Sequence, residues 1–216
     1  MLKEDLIWQS NMTNNLNLMQ SSTIKIIKIS EYVDVGQMGA AGSDIYAYED
    51  ALSIAKENRD DTEAMVTAFK KYKANASLEN MLALRNYVSP YHTPEKESNY
   101  IWTALTSPYL GVYDVLWFGK QMGSLSDFIE LNGQLFDYIG SEDVYAYGTT
   151  LQIPVGFISG SCDWITPVKY TEDYFNTITA PQKEMRLIDG WGHTVPQESP
   201  KEFADTLIQV INEIVH

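Results

Sequence analysis

The spacing of hydrophobic residues changes twice along the chain. Between Ile24 and Val35, β-branched residues alternate with polar ones, which predicts a strand. From Ser43 to about Tyr147 the apolar residues recur at helical spacing, and this pattern predicts about four to six helices. From Ile153 onward the pattern predicts a strand, a helix, a second strand and a terminal helix. Strands that alternate with helices indicate an α/β fold with a parallel sheet and right-handed crossovers.

Several residues mark helix boundaries in the central segment. Ser43 is a candidate N-cap for the first helix, and a second helix is expected to begin near Asp61. A third helix is predicted over about 78–87. Because proline fits the first helical position, Thr93-Pro94 is a favourable helix start, and a fourth helix is predicted from Lys96 to Thr106.

The next part of the central segment is harder to assign. Residues 110–121 are aromatic and match neither spacing clearly. Ser124 is expected to cap a further helix that extends to Tyr138. The inward positions of that helix are predicted to be Leu125, Phe128, Leu131, Leu135 and Phe136.

The last third of the chain carries clearer signals. Ile153–Ser159 and Glu184–Ile188 are predicted as short strands, and Thr166-Pro167 as the start of the helix between them. The sequence from Ser199 to Glu202 is a capping box with proline at the first helical position, which predicts the terminal helix. Its inner face is predicted to consist of Phe203, Leu207, Val210, Ile211 and Ile214.

Composition narrows the class of partner. The 216-residue chain is 44% hydrophobic and 20% charged, which is typical of a soluble globular protein. Its formal net charge of −14 argues against binding to nucleic acid or anionic membranes, because both attract basic surfaces. The lone cysteine, Cys162, and the lack of a signal-peptide pattern favour a cytoplasmic location.

Two turns that follow the predicted strands of the last third present groups with catalytic potential. Asp163 follows the first of these strands, and His193 follows the second within Gly-Trp-Gly-His. The carboxyl ends of parallel strands meet at one edge of a sheet, so both side chains are expected in one crevice. An aspartate and a histidine in this arrangement are the acid and the general base of a nucleophile–His–acid triad. Taken alone, each residue has a structural explanation: Asp163 as a turn cap before Thr166-Pro167, and His193 as a solvated histidine.

Other candidate residues have competing structural explanations. Cys162 lies next to the acid but is expected to be a small buried filler rather than a nucleophile. Trp164 and Trp191 flank the pair and either line a substrate pocket or pack in the core. His92 and His216 are expected at the surface. The sequence contains no ligand spacing for a metal, no phosphate loop and no dinucleotide fingerprint, so we expect no cofactor.

Several segments of this chain resemble the C-terminal half of the α/β-hydrolase family, and within it the prolyl-aminopeptidase-like branch. The matching pieces are Pro154-Val155 through Gly160, Asp163, Thr166-Pro167, Tyr174-Phe175, Ala180-Pro181, Gly192-His193 and Glu198-Ser199-Pro200, with Tyr32–Gln37 resembling the strand before the cap. The resemblance implies an irregular start and one core strand over 1–42, a mostly helical cap over 43–150, and the C-terminal part of the hydrolase sheet over 151–216. It also implies a serine hydrolase of aminopeptidase or esterase type that acts on a small-molecule or short-peptide substrate.

One element of the family is missing from this sequence. Members carry a G-x-S-x-G nucleophile elbow before the cap, together with an oxyanion loop, and this chain has no G-x-S-x-G. Ser10 falls near where the elbow would lie, but it lacks the flanking glycines that the strained turn requires, so it is a poor candidate nucleophile. We therefore expect a truncated hydrolase that is inactive alone and that self-associates through an uncovered sheet edge. The alternative is a non-catalytic remnant or a ligand- or protein-binding module.

Overall fold

A computed structural model provides the fold. It describes residues 31–36, 43–98, 102, 105–106, 108, 110–121 and 123–215. The predicted irregular start, the first part of the predicted strand before residue 31, Ser10 and His216 lie outside the described residues.

Three parallel strands form the described sheet. They are β1 (Tyr32–Val35), β2 (Val155–Gly160) and β3 (Lys183–Ile188), in the order β1-β2-β3. Val155 is the register partner of both Tyr32 and Lys183, so the three strands begin at the same edge of the sheet. Every residue of β2 is buried, as expected for the central strand of a sheet that is covered on both faces. The predicted α/β class is confirmed.

Between β1 and β2, the described part of the chain contains five α-helices with defined bounds, and Trp102 and Leu105 are also helical. The five helices are α1 (Asp44–Asn58), α2 (Glu63–Ala74), α3 (Leu78–Val88), α4 (Val112–Gln121) and α5 (Leu125–Ser141), with short 3₁₀ helices at Ser89–Tyr91 and Val144–Tyr147. Helices α1 to α3 share a hydrophobic core in which Ala51, Ala55 and Leu84 are fully buried. None of the helices in the described ranges combines the length and apolarity that a membrane span requires.

Helices of the last third cover the sheet. They are α6 (Val168–Thr177), α7 (Val195–Glu198) and α8 (Pro200–Val215). Val210 and Ile214 of α8 are buried against Ile158 and Ile188, with Phe203 and Leu207 packed at the margin, which confirms four of the five predicted inner positions. The fifth, Ile211, is only half-buried and lies outside this cluster. A Cβ at Gly156 would lie 2.3 Å from Cγ1 of Val210, so the glycine allows α8 to approach β2 closely.

The predicted helix start at Thr93-Pro94 is wrong. Residues 92–98 contain bends and no helix, whereas Trp102 and Leu105, farther along the predicted Lys96–Thr106 helix, are helical. The backbone N–H of Lys96 donates to the carbonyl of Gly190 at 2.8 Å, and its ammonium group donates to the carbonyl of Asp189 at 2.8 Å. These contacts with a distant loop replace the local hydrogen bonds that a helix would need, and the sequence pattern around Pro94 does not reveal them.

Helix α5 begins as predicted, but fewer of its residues face inward than the sequence pattern predicts. Ser124 accepts a hydrogen bond from the backbone N–H of Asp127 at 3.0 Å, which confirms it as the N-cap. Phe128 and Phe136 pack against the helical core, whereas three leucines predicted to face inward are 50–56% exposed: Leu125, Leu131 and Leu135. The ambiguous residues 112–121 form α4, on which Val112, Tyr113, Leu116 and Trp117 are also exposed. The helices therefore leave a broad apolar surface uncovered.

Ser43 occupies the cap position of α1 without acting as a cap. Its backbone is helical, with φ −58° and ψ −24°, and its side chain makes no capping hydrogen bond. The following residue, Asp44, is buried and accepts a 2.6 Å hydrogen bond from Nε of Arg85 on α3. The start of α1 is thus tied to α3 by an ion pair rather than by a local serine cap.

Candidate active site

Asp163 lies in the turn that follows β2, and its carboxylate is almost fully enclosed. The side chain is 1% exposed. The backbone N–H of Thr166 donates to Oδ1 at 3.0 Å, and the Thr166 hydroxyl donates to Oδ2 at 2.7 Å. The Ser159 hydroxyl approaches Oδ2 at 3.4 Å. These donors orient the buried carboxylate and help to compensate for its loss of water. Asp163 is therefore the cap of its own turn as well as a candidate triad acid.

His193 lies in the loop that follows β3 and reaches the same crevice. Its Nδ1 is 2.9 Å from Oδ2 of Asp163, which confirms the predicted contact. The Thr166 hydroxyl is also 3.2 Å from this nitrogen. A carboxylate accepts hydrogen bonds, so the contact favours the tautomer with the proton on Nδ1 and leaves Nε2 as the acceptor on the opposite side of the ring. The His193 side chain is 36% exposed, so a reacting group can reach it.

Two glycines allow these loops to approach each other. A Cβ at Gly160, the last residue of β2, would lie 2.2 Å from the carbonyl oxygen of Trp191 and 2.3 Å from that of Gly192. Gly36, directly after β1, has φ +60°, and a Cβ there would lie 3.3 Å from Cε1 of His193. Both positions require glycine, the first for space and the second also for backbone conformation. All three strand ends thus contribute to the surroundings of His193.

The helical segment contacts both loops of the site. Arg85, already paired with Asp44, donates from Nη2 to the carbonyl of Ile165 at 3.2 Å, within the Asp163 turn. Lys96 bonds to the loop that precedes His193. The inserted helices are therefore fastened to the turn of the acid and to the loop of the histidine.

The two tryptophans near the site have different surroundings. Trp164 is half-buried, packs against the core of the helical segment and stacks on His92 with ring centroids 5.7 Å apart. Trp191 is buried beside Ile188, and its indole N–H donates to Oε2 of Glu202 at 2.9 Å. Core packing accounts for Trp191, and a substrate-pocket role for either ring stays a prediction.

Two further expectations about single residues are wrong. His92 is not a surface residue, because its side chain is 11% exposed and its Nε2 lies 2.8 Å from the carbonyl oxygen of Ala47. Cys162 is only half-buried rather than a buried filler. It lies in the tight turn after β2, where its backbone N–H donates to the carbonyl of Trp191 at 2.9 Å.

Three residues that the sequence does not mark as functional contact the acid or the histidine. The pattern indicates Thr166 only as a helix start and Ser159 only as a strand residue, yet both hydroxyls reach Oδ2 of Asp163. It indicates Gly36 only as the end of a strand, yet this residue lies against His193. The threonine three residues after Asp163 is the available signal, since that spacing suits an aspartate that accepts from a backbone N–H in its own turn.

Comparisons with known proteins give short or distant matches. No family model matches the chain. Over 58 residues, which are 27% of this chain and 18% of the relative, the chain is 34% identical to a probable aminopeptidase, YbaC, of Bacillus subtilis strain 168. Among solved structures, MGS-M2, an α/β hydrolase enzyme from a Medee basin deep-sea metagenome library, has 16% identity and a TM-score of 0.45 over 85% of this chain. MenH from S. aureus has 17% identity and a TM-score of 0.41 over 87% of this chain.

The chain spans only part of these proteins, namely 56% of the length of MGS-M2 and 60% of that of MenH. Its own architecture defines its fold. The chain combines three parallel strands with a long helical insertion after the first strand. It places an aspartate after the second strand and a histidine after the third. The chain therefore has the fold of the C-terminal part of an α/β-hydrolase, with a mostly helical cap inserted after β1.

Proposed function

We propose that this chain is the cap and C-terminal catalytic part of a cytoplasmic serine hydrolase that acts on a small amide or ester substrate. Asp163 serves as the triad acid and His193 as the general base. The observation that carries the proposal is the 2.9 Å contact between Oδ2 of a buried Asp163 and Nδ1 of a partly exposed His193. The short match to a probable aminopeptidase supports an aminopeptidase over an esterase.

In the proposed reaction, Nε2 of His193 accepts the proton of a serine hydroxyl as the serine attacks the substrate carbonyl. The histidine then returns this proton to the departing amine or alcohol as its bond to the acyl carbon breaks, which leaves the acyl group on the serine. In the second half of the reaction, Nε2 takes a proton from a water molecule that attacks this ester, and returns it to the serine oxygen as the acid product leaves. Asp163 holds the imidazole in the tautomer that exposes Nε2 and stabilises the positive charge that develops on the ring. The buried hydrogen bonds from Thr166 keep the carboxylate in place during this step.

We propose that the serine and the oxyanion donors belong to sequence upstream of this chain. The chain has no G-x-S-x-G, and a base without a held nucleophile has nothing to deprotonate. β1 is an outer strand of the described sheet, with β2 as its partner there, so its other edge is a suitable place for an upstream strand to pair.

The test compares this chain with a longer protein that includes the upstream reading frame. Hydrolysis of amino-acid arylamides and short acyl esters is measured for both. We expect turnover by the longer protein and none above the no-enzyme control by the short chain. In the longer protein His193→Ala should nearly abolish turnover. Asp163→Asn should reduce kcat by a large factor, since the equivalent change in the serine-protease template costs roughly 10⁴-fold.

Lys169→Ala is the matched control for these substitutions, because Lys169 forms an exposed pair with Asp173 on α6, outside the site. Activity of the short chain that disappears with Ser10→Ala would identify Ser10 as the nucleophile and contradict the upstream serine. Activity that disappears only with Cys162→Ala would mean a cysteine nucleophile. A longer protein that contains the motif and still turns over no arylamide or ester would contradict the proposed function.

A binding function is the second candidate, and a groove between α1 and α2 favours it. The groove is largely open to solvent, has a volume of about 510 Å³ and is lined by Tyr48, Val66, Phe69, Lys70, Lys73 and Ala74. Its apolar walls and two lysines suit an aromatic carboxylate. Calorimetric titration with naphthoate tests this candidate: binding that Lys73→Glu removes would support it, and no heat of binding would exclude this ligand class.

A further inference from the structure

Residues 94–96, here called the strap, cross the loop that leads to His193. The backbone N–H of Lys96 donates to the carbonyl of Gly190, and its Nζ donates to the carbonyl of Asp189, both at 2.8 Å. Pro94 approaches the other end of the loop, since a Cβ at Gly192 would lie 3.0 Å from Cγ of Pro94. The strap lies in the inserted segment and the loop follows β3, so tertiary contacts alone hold the strap against the loop.

The aliphatic part of Lys96 also packs on this loop. Gly190 has φ +76°, and a Cβ there would lie 3.1–3.2 Å from Cγ, Cδ and Cε of Lys96. The lysine stem therefore lies across the face that the glycine leaves open. A residue with a side chain at position 190 would displace it.

The charged end of Lys96 lies in a small polar cluster beside the loop. Nζ is 3.8 Å from Oε1 of Glu202 on α8 and 6.0 Å from the ring centroid of Trp191. The Trp191 indole donates to Glu202, and this bond, followed by the Lys96 charge, lowers the pKa of Glu202 below its ordinary value. The ammonium thus connects the loop, through Glu202, to the terminal helix. The strap therefore contacts Asp189, Gly190 and Gly192 and places the ammonium group over the Trp191 ring.

We propose that Lys96 is a positioning residue for His193. By holding the loop from 189 to 192, it fixes the place of the imidazole opposite Asp163 and links the position of the cap to the alignment of acid and base. The inference rests on the proposed function in that it takes His193 to be the base. The sequence does not suggest it, because its pattern predicts that Lys96 begins a helix, and Lys96 is 93 residues from Asp189.

Hydrogen exchange on the full 216-residue chain tests this role without requiring turnover. Two backbone amides report on the loop: Gly190 donates to Oγ of Ser161 at 2.8 Å, and Cys162 donates to the carbonyl of Trp191 at 2.9 Å. Their exchange rates are compared with those of β2 amides in the same sample, so that a change in global stability cancels. Lys96→Ala should accelerate both reporters about tenfold relative to β2, the ratio expected for losing one hydrogen bond to a charged group.

Conservative variants separate the parts of the interaction. Lys96→Arg keeps a charged donor and should stay near the wild-type rates, whereas Lys96→Met keeps only the aliphatic stem and should fall between Arg and Ala. Lys169→Ala, the same change on an exposed face of α6, should alter neither reporter. The Nδ1–H resonance of His193 should broaden in Lys96→Ala, because a less fixed ring exposes this proton to water.

If Lys96→Ala leaves the ratio of reporter to β2 exchange rates unchanged, the proposal is overturned. This includes the case in which the reporters and β2 accelerate in parallel, because that result indicates only a loss of global stability. In the longer protein, Lys96→Ala should reduce kcat with little change in KM. If the longer protein is inactive while the reporters accelerate, the proposed function fails, and what stands is that Lys96 holds the loop that carries His193. If it is active and Lys96→Ala changes neither kcat nor the reporters, the positioning role fails alone.

Discussion

Gly160→Ala is the change that most directly tests how the site is assembled. Gly160 ends β2, and the loop that carries His193 passes over it with almost no space between them. A single methyl group at this position would lie 2.2 Å from the carbonyl oxygen of Trp191 and 2.3 Å from that of Gly192. Ordinary Cβ contacts are 3.4–4 Å, so one of the two backbones must move by about 1 Å or more.

The expected loss of stability follows from which atoms are in the way. Extra methyl groups in a packed core cost about 1–3 kcal/mol when side chains can adjust. Here the obstacle is backbone held by the Cys162-to-Trp191 hydrogen bond, so we expect at least about 2 kcal/mol in the free energy of unfolding. The displaced loop also carries His193 away from Asp163, and a shift of about 1 Å is enough to break a 2.9 Å hydrogen bond.

Denaturant titration and the His193 Nδ1–H resonance measure these two effects. Gly133→Ala is the control, because Gly133 lies inside α5, where an added methyl group would meet nothing within 4 Å. That change should raise stability by roughly 0.5–1 kcal/mol, since glycine is unfavourable in a helix interior. A Gly160→Ala protein with wild-type stability and an intact Nδ1–H resonance would refute the reasoning from close approach.

Three further predictions concern charge and assembly. Burial raises the pKa of Asp34 on β1 from 3.8 to about 7, so between these pH values the folded chain keeps a proton that the unfolded chain releases, and stability should fall as pH rises. In melts from pH 4 to 8, Asp34→Asn should remove roughly 3–4 kcal/mol of this pH dependence. Parallel curves of stability against pH for the variant and the wild type would contradict this. Arg85→Met removes the cation that pairs with buried Asp44 and leaves only the long hydrogen bond from the Tyr72 hydroxyl, so the free energy of unfolding from thermal melts should fall by about 3–5 kcal/mol. Adding Asp44→Asn should restore much of this loss. The short chain should self-associate in sedimentation velocity through the outer edge of β1 and the exposed side chains of α4; a monomer with a sharp melt would count against this.

Local patterns in the sequence were sufficient for the core of the last third. The short apolar runs predicted β2 and β3, the capping box with proline predicted α8, and hydrophobic spacing predicted its inner face except for Ile211. The meeting of Asp163 and His193 was also predictable, because parallel strands present their carboxyl ends at one edge. These features depend on near neighbours in sequence or on a general rule of sheet topology.

Only the tertiary structure decided the surroundings of that pair. Whether the residues around Lys96 form a helix depends on carbonyl groups of the distant 189–190 loop. Leu131 on α5 is exposed because the neighbouring helices cover only part of the apolar face that the sequence pattern predicts for this helix. Gly160 has a tight contact only because the His193 loop crosses it. Such contacts join residues far apart in sequence, so hydrophobic spacing and capping signals carry no information about them.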